Sequence, residues 1–295
     1  MERRKVLLLG NGINRIDNDY SWEHLMRELL DFTGLTDSIS VKDKPFPLLY
    51  EEIYLRWVEH SRKPELELKR KIRDLLRNIR SNSLHKQVMG MQVDEVLTTN
   101  YDYNLEAAIP GGVRKARYIH PVKGSKYSLL RRRQAQDKIV WHIHGEVHAP
   151  GTILLGYEQY AGYLQTIRNY MIQGVKYKEL ELPSLNLRLK QGDRTVMSWI
   201  DHFFFSDVYI VGLNMDFVEM HLWWILDFRA RLRFDKRYTI DNKVTFIFPS
   251  ADASWIKPRI DLLCACDVGA MAVPVVDNQW KKMYRNTLKY ISLEA

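Results

Sequence analysis

Short apolar runs recur along the chain and are separated by longer segments whose apolar residues follow a helical period. The predicted strands are Val6–Leu9, Val93–Leu97, Lys138–Ile143, Val208–Val211, Val244–Phe248 and Val268–Val273. The predicted helices are Ser21–Phe32, Leu48–Glu59, Pro64–Met89, Asp102–Ile109, Tyr157–Tyr170, Arg194–Phe204, Phe217–Arg231 and Gln279–Leu293. Strands that alternate with helices are typical of an α/β protein, in which helices cover both faces of a parallel sheet.

The spacing of these elements also predicts the domain organisation. We expect one domain over residues 1–295, because no low-complexity linker or internal repeat divides the chain. No convincing strand lies between the first two strands, so a mainly helical insertion is predicted at about 33–90. A second stretch, 173–194, has no clear period and is predicted to be an irregular, flexible loop.

The first strand runs into a turn that contains two glycines, Gly10-Asn11-Gly12. A helix follows near Ser21, a suitable N-cap, with Glu23 in its first turn. A turn of this kind lets backbone N–H groups approach a phosphate at a helix start. The dinucleotide fingerprint GxGxxG would need a third glycine where Arg15 stands, so this motif alone is weak.

The residues after the first helix argue against a nicotinamide-dependent dehydrogenase of the usual kind. Such an enzyme has a second strand soon after the first helix, ending in an acidic residue about 20 residues past the glycines. Here the sequence TGLTDSISVKDKPFP follows Phe32 and is typical of turns.

The second strand ends in Thr98-Thr99-Asn100-Tyr101-Asp102. The carboxyl ends of parallel strands form the ligand crevice, so Asn100 is expected on its rim. An amide there can hold a water molecule or a ribose hydroxyl by hydrogen bonds in two directions. Asp102 is equally consistent with a cap on the following helix.

The third strand ends in His142-Ile143-His144-Gly145. Strict alternation would place His142 and His144 on the same face, with His144 where the crevice begins. A histidine ionises near neutral pH and can act there as a general base, whereas His142 is better explained as a core residue. A competing hypothesis is a metal site built on His142 and His144 with Glu146 and His148 nearby, but the sequence shows no obvious distant ligands to complete it.

A later strand is followed by Gly212-Leu213-Asn214-Met215-Asp216 and an apolar helix, which repeats the organisation of the first motif. Gly212 and Asn214 could hold the other end of an extended ligand. The alternative is that Asn214 and Asp216 only cap the helix.

Charge and composition narrow the class of protein further. The net charge of +8 on 295 residues is concentrated in Lys63–Arg80 and Lys123–Lys138. Because the first segment alternates with Glu and Leu at helical spacing, we expect a solvated helix face, not direct nucleic-acid binding. No apolar run approaches the about 20 residues of a membrane span, and two cysteines cannot form a disulfide framework, so a cytoplasmic protein is predicted.

Taken in order, GNGIN, TTNYD, HIHG and VGLNMD resemble the motifs of the sirtuin-like family. The closest likeness is to a bacterial branch associated with antiviral defence, in which TTNYD replaces the TQNID pattern of deacylases. The resemblance implies a Rossmann-like fold with a helical insertion, and Asn100 and His144 as the catalytic pair. It further implies nucleotide binding by Gly10, Asn11, Gly12, Asn14, Thr99, Asp102, Gly212 and Asn214.

The chain departs from deacylating sirtuins in one respect. It lacks the two cysteine pairs of their small zinc module, so no zinc is expected and cleavage of NAD+ is favoured over protein deacylation. The activity implied is hydrolysis of the nicotinamide–ribose bond, with NAD+ as substrate, no further cofactor, and loss of activity below the pKa of His144. The resemblance also implies a homo-oligomer and a separately encoded partner such as a DNA-translocating ATPase.

Three other functions stay open from the sequence. The chain could hold NAD+ or ADP-ribose as a sensor that does not turn it over. It could be a metal-dependent hydrolase that uses His142 and His144, or a nucleic-acid-binding subunit that uses its basic segments.

Overall fold

The fold is taken from a computed structural model, which describes residues 3–17, 20–119, 125–177, 180–235 and 238–293. The strands are β1 (Lys5–Leu9), β2 (Glu95–Thr98), β3 (Arg117–Tyr118), β4 (Arg132–Ala135), β5 (Lys138–His142), β6 (Val175–Tyr177), β7 (Leu180–Leu182), β8 (Asp207–Val211), β9 (Val244–Pro249) and β10 (Gly269–Val273). The helices are α1 (Trp22–Thr33), α2 (Phe46–Ser61), α3 (Glu65–Leu76), α4 (Ser83–Gly90), α5 (Asn104–Ala107), α6 (Tyr157–Ile172), α7 (Leu185–Gln191), α8 (His202–Phe205), α9 (Met220–Phe234), α10 (Lys257–Ala265) and α11 (Trp280–Leu293).

Eight strands form the main sheet in the order β10-β9-β8-β1-β2-β5-β4-β3. The strands from β10 to β5 are parallel, which confirms the predicted α/β class. The sheet is mixed and not wholly parallel, since β4 and β3 are added antiparallel beyond β5. The order reverses at the β1–β8 pair, and the carboxyl edge at such a reversal is where open α/β sheets bind ligands.

Helices cover both faces of the sheet, as the pattern of apolar residues predicts. On one face Val6, Leu8 and Trp141 pack in a cluster with residues of α6 to α10. On the other face Leu7 and Val140 pack with residues of α4, α5 and α11. Alternate residues of β1 therefore enter separate cores, which is why the strand has an unbroken apolar sequence.

Helices α1, α2 and α3 form a third layer, called here the cap (residues 22–76), over the carboxyl ends of β2 and β5. Its apolar residues cluster with Tyr101, Tyr103, Val147 and Leu155, which belong to the segments after these two strands. Between residues 33 and 90 the structure has three helices, α2 to α4, and no strand, in agreement with the predicted helical insertion. Ser21 caps α1 as expected, accepting a hydrogen bond from the His24 N–H at 3.1 Å.

Several element boundaries differ from the predictions for local reasons. The stretch 173–194, expected to be irregular, contains the β6–β7 hairpin and α7, because Leu182 and Leu185 are buried and the Ser184 hydroxyl caps α7. The single helix predicted over Pro64–Met89 is two helices, since Asn82 caps a new one, α4.

Two predicted helices are shorter than expected. Asp102–Ile109 contains only the single turn of α5, and Arg194–Phe204 becomes a 3-10 turn at Trp199–Asp201 followed by α8.

The sequence leaves open whether the run Arg131-Arg132-Arg133 is a surface loop or a phosphate-binding patch. In the structure it leads into and forms part of β4. Arg131 and Arg133 are buried, and the Arg133 guanidinium lies 4.5 Å from the ring centre of Tyr103. These two side chains support the sheet edge and do not form an exposed phosphate-binding surface. Within the described ranges, no helix has both the length and the apolar character needed to cross a membrane.

Candidate active site

The two glycine loops predicted at the carboxyl edge contact each other through their backbones. The Gly10 N–H donates to the Val211 carbonyl at 3.0 Å, and the Gly12 N–H donates to the Gly212 carbonyl at 2.9 Å. A Cβ on Gly10 would lie 2.3 Å from the Gly212 oxygen, so only glycine permits this approach. The N–H groups of Gly10 and Gly12 thus hold the two loops together, and in this structure they are not free to bind a phosphate.

Asn14 and Asp102 are buried in a hydrogen-bonded network that joins the β1 loop to the β2 loop. The Asn14 Nδ2 donates to Asp102 Oδ2 at 2.8 Å, and its Oδ1 lies 3.0 Å from His85 Nε2. Asp102 Oδ1 accepts from the Asn104 N–H at 2.9 Å, although the N-cap residue of α5 is Tyr103 and not Asp102. Their direct contribution is to position the loop that carries Asn100, and nucleotide binding by either residue stays a prediction.

Asn100 lies half-buried in the loop after β2, two residues past the last strand residue, Thr98. Its Nδ2 donates to the Gly10 carbonyl at 3.2 Å, which ties it to the first glycine loop. Asn100 and Asn11 line a small cavity of about 20 Å³, roughly the space of one water molecule. Thr99 is buried behind them, and its N–H donates to the Leu9 carbonyl at 3.1 Å.

His142 and His144 point to different sides of the sheet, contrary to the alternation expected. His142 is the last residue of β5, and its Nε2 lies 2.8 Å from Glu106 Oε1 on the α5 side. The chain then turns through Gly145, whose φ is +100°, and His144 faces α6 and α9. The alternation of side chains ends with the strand at His142. His142 and His144 therefore do not lie together as ligands of one metal site.

His144 lies instead in a fully buried group with Glu219 and His221, called here the histidine cluster. The Nε2 atoms of His144 and His221 are 2.8 Å apart, and His144 Nε2 lies 3.6 Å from Glu219 Oε2. Burial lowers the pKa of His144 to about 3 and lowers that of His221 well below its usual range. Burial, followed by the charge of Asp216, raises the pKa of Glu219 to about 8.

These shifts change one expectation from the sequence. His144 is neutral at pH 7, as a base must be, but a pKa of about 3 makes it a weak base in this closed arrangement. The loss of activity expected below its pKa moves to much lower pH in this buried state, so it would not appear just below neutral pH.

Two aromatic side chains, Phe46 and Tyr160, lie between the histidine cluster and a larger opening. A cleft of about 620 Å³ lies between the cap and the loop after β8 and is lined by Trp22, Phe46 and Asp216, among others. Trp22 stacks on Phe46 at 5.0 Å, and Phe46 meets the edge of Tyr160 at 6.4 Å. The Tyr160 ring lies 5.6 Å from that of His144, so these rings form the wall between cleft and cluster.

Trp22 also lines the small cavity beside Asn100. Its ring meets the edge of Tyr101 at 5.8 Å. Trp22 is thus the residue that the linings of the two spaces share. Asn214 is exposed on the same β8 loop, and Gly212 adopts a φ of +67° there.

Glu146, considered as a metal ligand, is engaged elsewhere. It is fully buried and accepts hydrogen bonds from the Tyr103 hydroxyl at 2.8 Å and from the Tyr118 hydroxyl. It therefore anchors the segment after β5 to the α5 side, away from the histidine cluster.

Comparison with known families agrees with the motif-based assignment. Residues 94–185 match the family model of the SIR2-like domain, which confirms the sirtuin-like resemblance over the segment that contains both Asn100 and His144. Members of this family are NAD-dependent enzymes. No curated protein matches the chain.

Glu219 and His221 were not predicted from the sequence. They are 75 or more residues from His144, at the start of an apolar helix, and no local spacing links them to it. The sequence offered one signal: Glu219 and His221 are ionisable residues that interrupt the apolar sequence VEMHLWWIL after the β8 loop.

Proposed function

We propose that this chain hydrolyses NAD+ at the nicotinamide–ribose bond and releases nicotinamide and ADP-ribose. The observation that carries the proposal is the position of Asn100. It follows β2 at the carboxyl edge of the sheet, contacts the first glycine loop, and lies in the SIR2-like segment together with His144. A ligand crevice is expected at this edge.

The chemistry that these residues offer suits this bond. Nicotinamide leaves as a neutral base, so no general acid has to protonate it. Positive charge develops on the ribose, as in glycoside hydrolysis. Asn100 would hold the attacking water or a ribose hydroxyl, and neutral His144 would take the proton that is released. Neither role requires a metal ion or a further cofactor.

Substrate access requires the cap to move. The cavity beside Asn100 holds about one water molecule, and His144 has no exposed surface. We propose that NAD+ enters the cleft beneath α1 and that displacement of Trp22 joins the cleft to the Asn100 cavity. Closure of the cap would then exclude bulk water from the reacting sugar.

The likeness of TTNYD to the defence-associated branch supports a cellular role. We propose that the chain depletes NAD+ in the cytoplasm as an effector of antiviral defence. In this proposal it acts as a homo-oligomer controlled by a separately encoded partner, for which a DNA-translocating ATPase is the candidate. The absence of the zinc module's cysteine pairs supports hydrolysis over deacylation.

The test is direct detection of nicotinamide from NAD+ with the full chain, with and without candidate activating partners. Asn100→Ala and His144→Ala are each expected to abolish release while the thermal unfolding profile stays cooperative. Asn78→Ala and His60→Ala, which change exposed residues of the same two types, should retain wild-type rates. Full activity in either site variant would end the proposed mechanism.

The same experiment separates hydrolysis from the sensor alternative. A sensor would retain intact NAD+ in stoichiometric amount under conditions where no nicotinamide appears. That result would contradict hydrolysis and assign the site to binding alone.

A further inference from the structure

Three potential ligand atoms converge inside the histidine cluster. His144, Glu219 and His221 each offer a nitrogen or oxygen, and these atoms all lie within 4.8 Å of one another. Four-coordinate zinc with bonds of about 2.0 Å separates its ligand atoms by roughly 3.3 Å. The separations of 2.8 Å between the two Nε2 atoms and 3.6 Å from His144 Nε2 to Glu219 Oε2 bracket that value.

The cluster also contains polar atoms with unmet hydrogen-bonding capacity. Among the described residues, no hydrogen bond reaches His144 Nδ1, His221 Nδ1 or Glu219 Oε2, although all three side chains are at least nine-tenths buried. Unsatisfied buried polar groups are costly, and an ion that the structure does not contain is one physical explanation for them. A divalent cation bound by the two Nε2 atoms would satisfy the Glu219 carboxylate oxygen.

We propose that the histidine cluster binds a divalent transition-metal ion of the Zn²⁺ type and that this ion inhibits NAD+ cleavage. Two imidazoles and one carboxylate suit zinc, which prefers nitrogen and oxygen ligands in sets of this size. The residues ligate as a carboxylate and two neutral imidazoles. The proton between the two Nε2 atoms moves to Nδ1 of the same ring, and any proton on Glu219 leaves to solvent.

The inhibitory part rests on the proposed function. A metal ion on His144 Nε2 occupies a lone pair of the imidazole that the hydrolysis mechanism uses as a base. The ion reaches the cluster past Val218, which lines the 620 Å³ cleft and directly precedes Glu219.

Metal binding is tested first, without NAD+. Metal-free full chain is titrated with Zn²⁺ against a chromophoric chelator, and with Co²⁺ while the visible absorption bands of tetrahedral coordination are recorded. One ion per chain and tetrahedral Co²⁺ bands are expected. Glu219→Gln and His221→Gln, which conserve side-chain size, should weaken binding at least about tenfold, or about 1.4 kcal/mol. Glu59→Gln and His60→Ala, an exposed Glu and His on α2, should not.

Failure of the wild-type chain to bind Zn²⁺, or equal affinity in both cluster variants and wild type, would overturn the proposed site. Thermal unfolding of each metal-free variant verifies that weaker binding does not reflect an unfolded chain.

Inhibition is then tested by measuring nicotinamide release with Zn²⁺ and after its removal by a chelator. Release that rises on chelation in wild type is the expected result, whereas unchanged release with Zn²⁺ bound would contradict inhibition. A chain that binds Zn²⁺ but releases no nicotinamide in either condition, with the candidate activating partners present, would refute the proposed hydrolysis and leave the metal site established.

Discussion

At the scale of single residues, the glycines of the loops after β1 and β8 act mainly by allowing direct contact between the two backbones. Gly10 and Gly212 occupy neighbouring strand ends, and the distance between the loops leaves no room for a side chain at Gly10. The sequence identified these glycines as phosphate-binding residues by analogy. The structure shows a second reason for them, the close packing of the loop that contacts Asn100 against the loop that carries Asn214.

Gly10→Ala should therefore destabilise the fold. Its Cβ would lie 2.3 Å from the Gly212 oxygen and 2.6 Å from Leu213 Cα, both backbone atoms that cannot move aside cheaply. Forced overpacking of this kind costs about 1–3 kcal/mol. Urea unfolding measures the change. Gly90→Ala is the matched control, since a Cβ there meets no atom within 4 Å, and a similar loss in that variant would contradict the explanation.

At the scale of elements, a buried lysine joins the cap to the rest of the protein. The Lys69 ammonium on α3 donates to the Ile153 carbonyl at 2.9 Å and lies 3.8 Å from Glu65. Burial lowers the pKa of Lys69 to about 8, and the charge of Glu65 only partly opposes this. The cap is therefore held by an ammonium group whose proton is bound less tightly in the folded state than in the unfolded chain.

This lowered pKa predicts a particular pH dependence of stability. Between pH 8 and about 10.5 the folded chain releases the Lys69 proton while the unfolded chain keeps it. Since the unfolded state binds more protons in this range, this group's contribution to the free energy of unfolding increases with pH. The stability of wild type relative to Lys69→Met should accordingly increase from pH 7.5 to pH 10, as measured by urea unfolding.

The control for this experiment is Lys71→Met, which changes a partly exposed lysine on the same helix. Its stability relative to wild type should change little over the same range. A pH-independent difference between wild type and Lys69→Met would show that Lys69 keeps its ordinary pKa in the folded state.

Elements with a strong apolar pattern could be predicted from the sequence, and those fixed by long-range contacts could not. All six predicted strands are present within two residues at each end, because each is a short apolar run, and all but the edge strand β10 are largely buried. Strand β4 was missed because its sequence, RRQA, is polar, and its arginines are accommodated by Tyr103 and Trp141. Asn100 was placed correctly because it lies in the loop that follows a strand. The partners of His144 lie on α9, which no local pattern connects to β5.

At the scale of the whole molecule, the cap closes the carboxyl edge of the sheet. Trp22 takes part in the wall of both the small cavity and the larger cleft. If only a fraction of molecules has an open cap, the apparent affinity for NAD+ is reduced by that fraction. A substitution that removes the Trp22 ring should therefore restore part of the apparent affinity for NAD+.

Trp22→Ala is thus expected to raise kcat/KM for NAD+ several-fold, provided that the variant folds cooperatively. Steady-state nicotinamide release under conditions that activate wild type is the measurement. Phe32→Ala changes a partly exposed aromatic residue of the same helix that packs on Trp57, and it should leave kcat/KM unchanged. A fall in kcat/KM for folded Trp22→Ala would show that the ring binds substrate instead of blocking it.

The central claim is that Asn100 and His144 act together on one ribose. Nicotinamide release from NAD+ by Asn100→Ala, by His144→Ala and by the double variant tests it most directly. Residues that act as a unit are strongly non-additive, so the double variant should release nicotinamide no more slowly than either single variant. Single variants that each keep part of the activity, together with a double variant whose loss equals the product of those two partial losses, would contradict the account.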